Sequence, residues 1–188
     1  MRRFMKLLPL LGSAVLSLGL ICVIRTFGAW ESYHHCEFEG PDRFYLRSPV
    51  TVSPERHRVR VGNLFVTCEV TDQGAKPGFQ LVLGSVNHVE EPGERSYTLE
   101  VRKPPREYQP YSVKGAEGVY AAVGREAWDL ISVMASRRGE TLEVKVWPED
   151  TPPGRGAPSV RVQVRMQGFR KALKDLRKAD CSLFPKSS

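Results

Sequence analysis

Residues 160–176 read Val160-Arg161-Val162-Gln163-Val164-Arg165-Met166-Gln167-Gly168-Phe169-Arg170-Lys171-Ala172-Leu173-Lys174-Asp175-Leu176. Within this stretch the apolar period changes from two residues to about 3.6. Val160, Val162, Val164 and Met166 alternate with Arg161, Gln163, Arg165 and Gln167, the pattern of a strand with one buried and one wet face. After Gly168, the residues Phe169, Ala172, Leu173 and Leu176 recur at helical spacing. The chain therefore closes on a strand that runs into a helix.

The same alternation extends upstream. Val59 and Val61 alternate with Arg58 and Arg60, Tyr97, Leu99 and Val101 with Thr98, Glu100 and Arg102, and Leu142, Val144 and Val146 with Glu143 and Lys145. Residues 64–70, 79–83 and 119–123 are shorter strand candidates. Turn signals separate them at Gly62-Asn63, Asp72-Gln73-Gly74, Glu91-Pro92-Gly93 and residues 115–118. A second helix is expected between Gly124 and Gly139, where Trp128, Ile131, Met134 and Ala135 keep helical spacing. Residues 148–158, rich in Pro and Gly, join the last two strands as a long hairpin loop. This order predicts an α+β, mostly β fold: an antiparallel, strand-rich single domain whose two helices cover one face or end of the sheet.

Ahead of that domain, Arg2, Arg3 and Lys6 precede eighteen uncharged residues, 7–24, and Arg25 follows them. A cleaved signal has an apolar core of roughly 7–15 residues and a spanning helix needs about 17–25. Residues 1–29 are accordingly expected to be a signal peptide or a signal-anchor transmembrane helix, with residues 30–188 exported. Cutting after Gly28 or Ala29 would place Thr26 or Phe27 at the third-last position, where signal peptidase takes small residues. Cys22 follows Ile21 rather than a small residue, which disfavours lipid attachment. The excess of basic residues before the apolar run keeps the N-terminus inside and the rest outside. With two Asn and three Ile among 188 residues, the composition suits a GC-rich bacterial genome, and the expected location is the periplasm or the periplasmic side of the inner membrane.

The net charge of +7 is unevenly placed. Residues 1–29 carry four basic and no acidic side chains, residues 30–154 fifteen and nineteen, and residues 155–188 nine and two. The body of the exported domain is mildly acidic, so no nucleic-acid partner is expected. Beyond Cys22 the cysteines are Cys36, Cys68 and Cys181, and an oxidising compartment favours one bridge among three possible pairings. A bridge from Cys181 would tie the last helix to the first strands, worth about 3–5 kcal/mol in the chain-entropy model.

Metal-binding or nucleophilic side chains gather only at His34-His35-Cys36, which Cys68 joins if the first strands pair. Imidazole and thiolate suit copper or zinc, but neighbouring strand residues point to opposite faces, so His34 and Cys36 converge without His35. No metal or cofactor is expected. Glu37 and Glu39 share a strand face, which reads as a solvated face rather than a catalytic pair. No Gly-x-Ser-x-Gly, His-Glu-x-x-His, Cys-x-x-Cys or phosphate-loop pattern occurs. Arg170, Lys171, Lys174, Arg177 and Lys178 lie on the sides of the last helix away from its apolar stripe, a candidate surface for anionic lipid or an acidic partner. Tyr108 and Tyr111, in the extended Pro-rich segment 104–111, form a candidate docking strip, against the plainer reading of that segment as a stiff connection between strands.

The ending of the chain resembles that of small exported bacterial proteins of the invasion-associated protein B type. There a late strand runs into Gly, an aromatic residue, two variable residues, Ala-Leu, two variable residues and Leu, followed by a cysteine. Here Gly168, Phe169, Ala172, Leu173, Leu176 and Cys181 fill these places, with Trp30 shortly before Cys36 near the exported start. The resemblance covers the C-terminal third and implies an exported, strand-rich protein of a kind mostly not known as enzymes. The expected function is a non-catalytic interaction or accessory module of the envelope, attached to the membrane through its N-terminal helix and associated with an envelope protein partner. The alternatives are a small envelope hydrolase with dispersed residues, using His34, His57 or His88 as base, and a periplasmic metal binder using His34, Cys36 and Cys68.

Overall fold

The computed structural model describes residues 24–35, 42–53, 60–72, 74–85, 90–91, 93–103, 107–116, 118–137, 139–151, 153 and 155–178. They form ten strands and two helices. In chain order these are β1 (Arg25–Phe27), β2 (Trp30–His35), β3 (Asp42–Val52), β4 (Val61–Thr71), β5 (Gly74–Leu83), β6 (Arg95–Lys103), β7 (Glu107–Ala116), β8 (Val119–Val123), α1 (Arg125–Ser136), β9 (Thr141–Pro148), β10 (Val160–Arg165) and α2 (Phe169–Lys178). Every strand pair is antiparallel. The mostly β, antiparallel architecture with two helices is as expected. Among the described residues no helix is long and apolar enough to cross a membrane, and residues 1–23 lie outside them.

Closure of the sheet is the feature that sequence reading did not reach. The strands run β3-β10-β9-β6-β7-β8-β5-β4, and β4 returns to β3, so eight strands make a barrel. The eleven residues of β3 give room for two partners on one edge. Val50 to Val52 pair with β10, and Arg43 to Arg47 pair with β2. Strand β2 thus continues along β3 where β10 leaves off. Two bonds join them at the seam: the Trp30 indole N–H donates to the Arg165 carbonyl at 2.8 Å, and the Ala29 N–H to the Gln167 carbonyl at 3.0 Å.

Alternate residues of each strand fill the interior. Leu46, Leu64, Val66, Leu81, Leu99, Val144 and Val162 are fully or almost fully buried and belong to one core. An eight-stranded barrel has an interior just wide enough for side chains to fill, and branched aliphatic residues fill this one. Strands β8 and β10 are four antiparallel steps apart, so they run in the same direction, and the helices that follow them emerge at the same end. Helix α1 packs against β5, β7 and β8, and α2 against β1, β2 and β3. Their buried faces, including Leu130, Ile131, Met134, Phe169, Leu173 and Leu176, join the same core and close that mouth of the barrel.

Four local expectations are corrected. Gly62 and Asn63 do not turn the chain but sit inside β4, opposite Val50 and Pro49 on one side and Leu83 and Val82 on the other. Gly62 serves close approach, since a Cβ there would lie 2.5 Å from the Val82 carbonyl oxygen. Val61 points outward at 54% exposure, because the inward phase of β4 runs through Leu64, Val66 and Cys68. Trp128 is 38% exposed, because the buried arc of α1 is set by Ala127, Leu130, Ile131 and Met134, at positions i, i+3, i+4 and i+7. Residues 107–111 of the Pro-rich segment are not a free extended strip. Residues 107–116 form β7, a ladder strand paired with β6 and β8.

Candidate interaction surface at the plugged end of the barrel

The sequence-derived candidates are scattered rather than assembled. Cys68 is buried on the inward face of β4, opposite Phe44, and is engaged with a partner. His34 pairs with Phe44 from the other side of β3, but its side chain is outside the described set, as are Cys36, His57, His88 and Cys181. The proposed acid pair Glu37 and Glu39 also lies outside it. Among the described residues no three His, Cys, Asp or Glu side chains come together as a metal site.

Tyr111 is turned away from solvent, which corrects its assignment to a partner surface. It is 6% exposed, and its hydroxyl has no hydrogen-bond partner among the described residues. Burial, with the nearby Asp129 carboxylate, pushes the phenol up to about 12. A group whose pKa is raised on folding stabilises the native state fully below its unfolded pKa, and that contribution falls as pH rises through the folded value. Stability is therefore expected to decline between pH 10 and about 12 as Tyr111 is forced to ionise. Tyr111→Phe removes both the lone hydroxyl and this titration. It is expected to raise stability at pH 7 by about 1 kcal/mol and to flatten the alkaline decline, as measured by urea unfolding at several pH values. The Tyr108 side chain lies outside the described set.

The basic face of α2 is a physical feature of the plugged end. Phe169, Ala172, Leu173 and Leu176 are buried, Arg170, Lys171, Lys174 and Lys178 are exposed, and Arg177 is half-buried. Asp175 pairs with Arg25 of β1 at 2.7 Å, which ties the helix to the first strand. Arg170 has a role the sequence did not reveal. Its Nε donates to the Ala135 carbonyl at 2.9 Å and its Nη2 to the Arg137 carbonyl at 3.2 Å. These carbonyls end α1, where backbone acceptors have no partners within the helix, and a cation also suits the negative end of the helix dipole. Arg170 thereby couples the two helices.

Between them lies a cleft of about 680 Å³, lined by Met134, Arg137, Glu140, Arg165, Met166 and Phe169, with Arg170 at its side. Met134, Met166 and Phe169 form its apolar floor, each under 9% exposed. Arg137 donates through Nη1 to the Arg102 carbonyl at 2.9 Å, while its Nε is buried with no acceptor among the described residues. Burial, and then the Arg102 charge, pull its guanidinium below the ordinary arginine value. No periodicity could have signalled this cleft, because its residues come from two helix ends and two turns.

A second polar and aromatic cluster crosses β2, β3 and β4. Tyr33 stacks on Tyr45 at 4.7 Å, and Tyr45 meets the edge of Phe65 at 6.0 Å. Glu31 accepts from the Tyr33 hydroxyl at 2.6 Å and from Arg47 Nε at 3.0 Å. The Tyr33 bond, followed by Arg47, holds the Glu31 carboxyl below its usual range. These groups satisfy one another, so the cluster reads as cross-strand support.

Comparison of the chain with known protein families, with characterised proteins and with solved structures finds no match.

Proposed function

We propose that this protein is an exported bacterial envelope protein, held at the membrane by its N-terminal apolar segment, that acts by binding a partner and not by turnover. The observation that carries the proposal is the filled barrel. Its interior is occupied by the protein's own side chains, so whatever it recognises meets its outer surface. At the plugged end that surface is basic, in contrast to the mildly acidic body of the chain.

Retention of the apolar segment is supported by β1. Arg25 to Phe27 pair with Trp30 to Ser32, Arg25 bridges to Asp175, and Ala29 bonds to Gln167. A cut after Gly28 or Ala29 would remove β1 from the fold, whereas a retained segment runs directly into it at Ile24. A disulfide from Cys68 to Cys36 or Cys181 belongs to the same reading, as does the likeness of the chain's ending to proteins of the invasion-associated protein B type.

In-cell crosslinking of tagged full-length protein, followed by capture from solubilised envelope and intact-mass measurement, tests both parts. An envelope protein recovered in near-stoichiometric amount is expected, on a chain that still contains Arg25. Background proteins alone would sink the binding role, and a chain beginning at Ala29 or Trp30 would sink the retained anchor.

A further inference from the structure

We propose that the cleft between the carboxyl end of α1 and the amino end of α2 binds an anionic amphiphile. Arg137, Arg165 and Arg170 hold its oxyanion head, and Met134, Met166 and Phe169 receive its apolar part. Four observations converge on this site. The cleft volume of about 680 Å³ lies within the roughly 300–1,000 Å³ typical of small-molecule sites, which combine an apolar lining with a few placed polar groups. Three guanidinium groups line it against the single carboxylate of Glu140, and the salt bridges formed among the described residues engage other side chains.

The third observation is the start of α2. A helix N-terminus carries a partial positive charge that an acidic residue in the first turn normally offsets. Helix α2 has no acid there and begins Phe169-Arg170-Lys171, so its own charges add to that of the dipole. The fourth is Arg137, whose Nε is sealed from water with no acceptor among the described residues. Buried donors left without partners are rare in folded proteins and point to a missing ion or water. An oxyanion beside these groups supplies the missing negative charge, and planar guanidinium groups suit carboxylate or phosphate. The apolar floor adds a requirement that a bare anion does not meet. A phosphate head can come from a lipid-like molecule or from free phosphate, and the probes below separate these sources.

Full-length protein in nanodiscs of zwitterionic lipid is titrated with hexyl phosphate and, separately, with inorganic phosphate, following ³¹P relaxation. Uncharged hexanol is added as a competitor. Arg165 is the residue to change, because its side chain is exposed and makes none of the hydrogen bonds or ion pairs that hold the described fold. Hexyl phosphate is expected to bind at least tenfold more tightly than inorganic phosphate, to resist displacement by equimolar hexanol, and to bind at least tenfold more weakly to Arg165→Glu. Arg161→Gln, on the barrel wall, serves as the control and is expected to bind as wild type. Undiminished binding by Arg165→Glu overturns the proposal, as does displacement by hexanol. Equal affinity for inorganic phosphate would mean an adventitious ion only. Unchanged thermal unfolding of Arg165→Glu separates a lost site from a lost fold.

Discussion

Trp30→Ala is expected to lower the unfolding free energy by about 3–5 kcal/mol, the range for removing a large buried aromatic side chain. Trp30 is completely buried and stands where β2, β10 and α2 meet. Its ring lies 4.6 Å from that of Phe169, and its indole N–H is the donor for the Arg165 carbonyl. Alanine leaves a cavity between barrel and helix and also strands a carbonyl at the seam. Trp30→Phe separates the two effects by keeping most of the ring contact while losing the donor, and should cost only about 1–2 kcal/mol. Urea unfolding followed by far-ultraviolet circular dichroism measures both variants. A loss below 1 kcal/mol for Trp30→Ala would mean that the β2–β10 seam does not hold α2 in place.

Gly168→Ala is expected to cost about 3 kcal/mol or more, combining backbone strain of about 1–3 kcal/mol with a steric conflict. Gly168 has φ +87°, and a Cβ there would lie 1.8 Å from the Phe27 carbonyl oxygen and 2.4 Å from its carbon. Both neighbours are backbone, so relief requires the β1–β2 hairpin to move off α2, which also parts Arg25 from Asp175. Gly74→Ala provides the comparison. Gly74 has φ +107° but nothing within 4 Å of the added carbon, so only the conformational strain remains and a loss of about 1 kcal/mol is expected. The difference between the two variants, read from the same unfolding curves, isolates the contact between β1 and α2. Equal losses would show that this contact contributes nothing.

These two positions also show where sequence reading stops. Gly168 was legible as the break between strand and helix, because the apolar period changes there. That the same glycine makes room for the carbonyl of Phe27, distant in the chain, was not. The strand β3 was missed altogether, although Phe44, Leu46, Val50 and Val52 alternate along it, because Ser48 and Pro49 interrupt the pattern. Ser48 is nevertheless fully buried, between the part of β3 that pairs with β2 and the part that pairs with β10. Tyr111 looked like a surface aromatic in a Pro-rich segment until the pairing of β7 with β6 turned it inward.

Of the candidate surface, half was legible. The amphipathic spacing of α2 places Arg170, Lys171, Lys174 and Lys178 opposite Phe169, Leu173 and Leu176, and the structure agrees about which face is wet. The cleft was not legible, because Arg137, Glu140, Arg165 and Arg170 come from segments whose proximity depends on both helices leaving the barrel at one end.

The sequence by itself determined most of the local conformations: period-two runs make half-buried strands, the change of period makes the helices, and the charge distribution puts the net positive charge at the two ends of the chain. Those outcomes depend on near neighbours, whose spacing is written in the order of residues. Only the tertiary structure decided that the sheet closes, that β2 and β10 share an edge of β3, and that both helices plug one mouth. Closure depends on the accumulated twist of eight strands and on a pairing between β3 and β4 that also serves as the last step of the ring. Such long-range geometry leaves no periodic trace in any single stretch of the chain.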